Sequence, residues 1–204
     1  MNSKSFLLLA AITMMIFSAG CIFSPDEVDD IVGPPPPPPL AYPGTRDILM
    51  ENFQLIYEDM DFDAFREMLH PDYFMILQAS TIEQFPTVGP TIDLSEELTM
   101  HRRMFSGDSL FDPDTNLPIP GISNISFDEF RQLGEWVTSP PNDPIPNAES
   151  GTWQVEFLFD RSGFKAFSVK GQIKFYATFR DSLHEGLVQP YWQMIGQKDE
   201  TIDQ

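Results

Sequence analysis

A length of 204 residues leaves room for one domain of about 100 to 150 residues plus accessory sequence. With 12 Lys and Arg against 31 Asp and Glu, the net charge is -19, which excludes nucleic acid and anionic lipid headgroups as partners, since binding them draws on clustered cations. An aromatic content of 13% excludes an acidic disordered chain, and a lone cysteine excludes an intrachain disulfide, so stability must come from packing.

Lys4 is the only charge in residues 1–20, and the uncharged run from Phe6 to Phe17 leads to Ser18, Ala19, Gly20 and Cys21. A basic start, an apolar stretch of ~7 to 15 residues and a small-residue exit mark a secretory signal peptide. A bilayer span needs ~20 apolar residues, so removal of the leader between Gly20 and Cys21 is expected instead. Small residues directly before a cysteine resemble the lipobox of bacterial lipoproteins, with Ser18 standing where that motif carries Leu. The resemblance implies lipidation of the Cys21 thiol and a membrane as partner, because several acyl chains anchor firmly where one does not. Ile22 in place of Asp implies the outer membrane of the cell envelope, with the domain facing the periplasm.

Asp26, Glu27, Asp29 and Asp30 precede Gly33 and six prolines, Pro34 to Pro39. Such a run is a semi-rigid polyproline spacer of ~3.1 Å per residue, about 19 Å in all. Residues 21–43 are therefore read as an anchored tether and residues 44–204 as the domain.

Thr45 is placed to cap a helix carrying Leu49, Phe53, Ile56 and Tyr57 as far as Glu58. Asp61 can cap a second helix with Phe62, Phe65 and Leu69, stopped at His70 by Pro71. Tyr73 to Leu77 reads as a short strand. Asp93 and Glu96 form a capping box for a third helix with Leu94, Leu98, His101 and Phe105 on one face. Residues 106–147 are loop-rich, and strand is preferred over helix for residues 125–137. Beyond Gly151, Trp153, Val155, Phe157 and Phe159 alternate with polar or exposed positions. The same holds for Phe167, Val169, Ile173, Phe175, Ala177 and Phe179. Period two over that length means long antiparallel strands with one apolar face, and Arg161, Ser162 and Gly163 supply the turn between them. A last strand spans about Val188 to Lys198, with Pro190 marking an edge or bulge.

Helices first and long strands afterwards predict an α+β fold, N-terminal helices packed on a strongly curved antiparallel sheet. The second helix ending in His70, Pro71, Asp72, Tyr73 and Phe74, the third helix, and the closing strand with Trp192, Met194 and Asp199 resemble the nuclear transport factor two-like superfamily over residues 45–200. Gln197 stands where a second aromatic is common. The resemblance implies a cone with an open end, found in enzymes and in binding or dimerisation modules alike. On such a cone the candidate cavity-lining residues are Tyr73, His101, Phe105, Trp153, Phe157, Phe175 and Trp192.

His101 is the candidate general base or polar ligand contact of that cavity. His70 and His184 have no metal-ligand spacing with it, so no metal site is expected. Asp112, Asp114 and Asn116 open like an EF-hand loop, but Leu117 and Ser123 occupy its Gly and Glu positions. Asp59, Asp61 and Asp63 fail in the same way, so both runs read as turn or cap chemistry. Neither a phosphate loop nor a nucleophile elbow occurs, and no cofactor is expected. The leading expectation is a non-catalytic module that binds a small apolar ligand or a protein partner. Two others stand beside it: a pocket enzyme of the isomerase or dehydratase type with His101 as base, and an envelope module that forms a homodimer through its exposed sheet.

Overall fold

The computed structural model describes residues 39–85, 87–112, 115–161 and 163–201. The leader, the Gly20 to Cys21 cleavage site, the lipidated Cys21 and the tether up to residue 38 lie outside them.

Helix α1 (Arg46–Glu58) starts where Thr45 Oγ1 accepts the Ile48 N–H at 3.2 Å, satisfying one of the free donors of a helix start. Its apolar stripe, Leu49, Met50, Phe53, Ile56 and Tyr57, is buried. Helix α2 (Phe62–Met68) is capped by Asp61, whose Oδ1 accepts from Ala64 N–H at 3.0 Å. It ends two residues before the expected stop at His70, because Leu69 already has extended backbone and strand β1 (Leu69–Ile76) begins there. The proline that forbids a helical residue 70 thus sits inside a strand. A short helix α3 (Ala79–Gln84), which no periodicity announced, leads to β2 (Thr91–Asp93). Helix α4 (Leu94–Ser106) carries the capping box as read from the sequence, and Gly107 closes it at φ 69°.

After a small ribbon of β3 (Leu110–Phe111) and β4 (Pro118–Ile119) come β5 (Ile122–Gln132), β6 (Val137–Thr138), β7 (Glu149–Arg161), β8 (Phe164–His184) and β9 (Leu187–Asp199). The undecided segment at 125–137 is strand up to Gln132. The main sheet runs β2-β1-β9-β8-β7-β5, with β6 alongside β7, and is not closed into a barrel. It is mixed where an antiparallel sheet was expected: β1 pairs parallel to β9, with Met75 opposite Gln197. Sequence alternation fixes which face a strand buries but not which neighbour it takes, and here the first long strand lies against the last.

Of the alternating residues, Trp153, Val155, Phe157, Phe159, Phe175 and Ala177 are buried in the core that the helices share. Phe167, Val169 and Phe179, expected on the same apolar face, are instead exposed towards the two ends of the 21-residue β8. Phe53, Phe65, Phe175 and Met194 are at most 1% exposed, and each such side chain contributes roughly 1.5 to 3 kcal/mol by burial. On the other face Lys170 Nζ lies 2.8 Å from Glu156 Oε2 and 3.5 Å from Glu129 Oε2, and the loop at 139–148 buries Ile145 and Ala148 against Tyr176. Ala41 and Asn52 exchange two hydrogen bonds, and Trp192 N–H donates to Pro43 O at 2.9 Å, so residues 41–43 are bound to α1 and β9. Both core clusters lie within the compact unit Pro39–Gln204, which therefore carries its own core and can fold alone.

Candidate functional site

A cavity of about 350 Å³ opens between α4 and the curved sheet. The inner part of α1 gives it Phe53 and Tyr57, and β1 gives Met75. From α4 come Glu97, Met100, His101 and Met104. The sheet wall is Val155, Phe157 and Phe159 of β7 with Val169, Gly171 and Ile173 of β8, and Gln197, Asp199 and Thr201 complete it. Met100 and Val169 are 44% and 51% exposed and mark the mouth. A side chain at Gly171 would collide with Thr201 Oγ1, which accepts the Gln172 N–H at 3.2 Å; glycine lets the end of the chain fold across the wall. The wall is almost wholly apolar, with three methionines that adapt to irregular shapes.

The polar end is a buried chain of hydrogen bonds on α4. His101 Nδ1 lies 3.1 Å from the Glu97 carbonyl oxygen, which can only accept, so Nδ1 carries the hydrogen. His101 Nε2 then accepts from Tyr57 Oη–H at 2.6 Å. Its ring stacks on Phe65 at 4.0 Å. Tyr73 Oη–H donates to Glu97 Oε1 at 3.2 Å, while Glu97 Oε2 is buried without a hydrogen-bond partner.

Glu97 Oε1 and His101 Nδ1 are 3.5 Å apart, close enough for an ion pair, yet burial works against both charges. Desolvation pushes the Glu97 carboxyl up to about 7, opposed by the Tyr73 hydrogen bond. Desolvation pushes His101 down to about 4, opposed by the Glu97 carbonyl. At neutral pH the imidazole is uncharged and the carboxyl is in mid-titration. Burial, reinforced by Glu97, raises the Tyr57 and Tyr73 hydroxyls well above their ordinary range, so both remain donors.

Of the seven expected lining residues, His101 and Phe157 line this cavity. Tyr73 stands behind it as the partner of Glu97. Phe105, Trp153 and Phe175 belong to the core, Trp153 meeting Phe175 edge-on at 5.4 Å. Trp192 borders a separate, more polar hollow with Tyr42 and Met68. The expected base, His101, has its free lone pair taken by Tyr57. Glu97, missed in the sequence, was legible only as the residue one turn before His101 on the same helix face. His70 accepts from Asp72 N–H at 3.1 Å, and His184 stacks on Tyr42 at 3.9 Å. Among the described residues no group of three His, Cys, Asp or Glu could hold a metal, and no helix is long and apolar enough to cross a membrane. Asp112 Oδ1 accepts from Thr115 N–H at 2.9 Å, which is turn chemistry, while Asp114 lies outside the described residues.

No family model matches the sequence, and no curated protein is significantly similar to it. Solved structures similar to this fold include a conserved protein from Planctomyces limnophilus, with 11% identity over 76% of this chain and 94% of that one at a TM-score of 0.49. They also include the beta subunit of the benzoate 1,2-dioxygenase from Burkholderia mallei, with 11% identity over 75% and 85% at 0.48. An NTF2-like protein of unknown function in nutrient uptake from Rhodospirillum rubrum matches with 10% identity over 77% and 98% at 0.42. The similar structures thus include nuclear transport factor two-like proteins, as the element order led one to expect, and likeness at this level assigns no activity to the chain.

Proposed function

We propose that this chain is an exported lipoprotein, held by lipid on Cys21 to the outer membrane, whose domain binds a small apolar ligand. The observation that supports the binding role is the cavity of about 350 Å³, walled by Met75, Met100, Met104, Val155, Phe157 and Ile173 and open at Met100 and Val169. Pockets for small molecules are concave, mostly apolar and furnished with few polar groups, and this one has the size and balance for a ligand of modest bulk. The uncharged leader that stops at the Ala19, Gly20 and Cys21 run supports the anchor.

Titration of the unit Pro39–Gln204 with N-phenyl-1-naphthylamine, a fluorophore that brightens in apolar sites, tests the binding role. Saturable one-to-one enhancement, abolished when Met104→Trp fills the wall, is expected. Absence of saturation would remove the role. Mass spectrometry of the protein isolated from cells tests the anchor: diacylglycerol on an amino-terminal Cys21 is expected, and an unmodified thiol would contradict it.

A second reading, a pocket enzyme abstracting a proton from an apolar substrate, is favoured by one observation. Glu97, with an unpartnered oxygen and an affinity for protons set near neutrality, is better suited as base than His101.

A further inference from the structure

We propose that the ligand of this cavity is a cationic amphiphile, an apolar body bearing one amine that seats against Glu97. The inference rests on the binding role proposed above and adds the chemical class. Glu97 is 2% exposed, and its Oε2 has no partner within the protein, although buried polar atoms are nearly always paired. An ammonium group supplies both the missing donor and the missing counter-charge. An alcohol would supply only the first.

Three further observations favour a cation. The rings of Tyr57 and Phe157 stand 5.4 Å apart in the wall beside the His101 and Glu97 pair, offering aromatic faces to a positive group. Lys170 is the one cation among the lining residues, and its Nζ turns to Glu156 and Glu129 on the other face of the sheet, so no positive side chain of the wall competes for Glu97. The net charge of -19 draws cations towards the molecule and repels carboxylates. The methionine and phenylalanine walls accept the apolar remainder, and no bond is made or broken.

The titratable groups facing Glu97 are Tyr73 from β1, Tyr57 from α1 and His101 from its own helix. All three are uncharged at pH 8, where Glu97 is ionised. Isothermal titration of Pro39–Gln204 at pH 8 with octylamine, 1-octanol and octanoate separates the classes, because the apolar body is constant. The expected result is octylamine binding at least tenfold more tightly than octanol, with octanoate weakest. In Glu97→Gln the amine preference should fall to within twofold while octanol binding persists, which also shows that the variant keeps its site. Equal binding of amine and alcohol to the wild type would overturn the amine assignment and leave the apolar pocket standing. If neither bound, pocket and assignment would fall together.

Discussion

Tyr57 Oη and His101 Nε2 are joined across the interior at 2.6 Å, tying α1 to α4 at the floor of the cavity. The bond settles the state of the histidine: its second nitrogen faces a carbonyl, so the ring is a neutral relay between a phenol and a backbone oxygen. Tyr57→Phe would leave Nε2 as a buried acceptor without a donor, a loss of about 1 to 3 kcal/mol. The urea midpoint should fall accordingly, and an unchanged midpoint would show that water replaces the hydroxyl.

The Glu97 and His101 pair should give stability an unusual dependence on pH. Glu97 is raised from 4.5 to about 7 in the folded chain, so between those values the unfolded chain releases a proton that the folded chain keeps, and stability falls as pH rises. His101 is lowered from 6.5 to about 4, so stability falls as pH drops through that window. The two slopes oppose each other between about 4.5 and 6.5. Above 6.5 only the Glu97 loss continues, and below 4.5 only that of His101. Glu97→Gln removes the first, so its stability relative to wild type should improve by roughly 3 kcal/mol from pH 4.5 to pH 8, in proportion to the shift. Urea melts at pH 4.5, 6 and 8 check this, and a pH-independent difference would refute the neutral buried carboxyl.

Phe53 is 1% exposed and meets Phe130, Tyr57 and Phe175, whereas Leu183 at the end of β8 is 73% exposed. Phe53→Ala should cost about 3 to 5 kcal/mol through lost transfer energy and an unfilled void. Leu183→Ala should stay within about 0.5 kcal/mol. Chemical denaturation of both variants checks the contrast, and a similar cost for the two would mean that α1 does not carry the core.

Asp93 Oδ1 accepts from Glu96 N–H at 2.9 Å, and Glu96 Oε2 accepts from Asp93 N–H at 3.2 Å. Because α4 carries both Glu97 and His101, fraying of its first turn would loosen the site as well as the fold. Asp93→Ala should cost about 1 kcal/mol, read as a lower thermal midpoint and a weaker grip on N-phenyl-1-naphthylamine.

Local rules were enough for much of this architecture. The caps at Thr45, Asp61 and Asp93 begin helices where side-chain oxygens meet free N–H groups, and the alternation marks the buried face of β7 from Trp153 to Phe159. In β8 it holds at Phe175 and Ala177 and fails at Phe167, Val169 and Phe179, which are exposed. Alternation does not tell depth along a strand: Phe175 packs against Phe53 of α1 and Trp153 against Phe175, while Phe157, Phe159 and Val169 reach the cavity. Glu97 was hidden because an acid in a helix reads as solvated until tertiary packing covers it. The partner of His101 came from Tyr57, distant in sequence and close only through the docking of α1 on α4. The parallel seat of β1 against β9 is long-range and leaves no local trace.

Methyl NMR on Pro39–Gln204 labelled at methionine tests the cavity assignment most directly, since Met75, Met100 and Met104 line it while Met50 and Met194 lie in the core. Addition of octylamine should shift the first three signals along a saturable curve and leave the other two near their free positions. Shifts spread evenly over all five, or confined to Met50 and Met194, would place the ligand elsewhere and contradict the account.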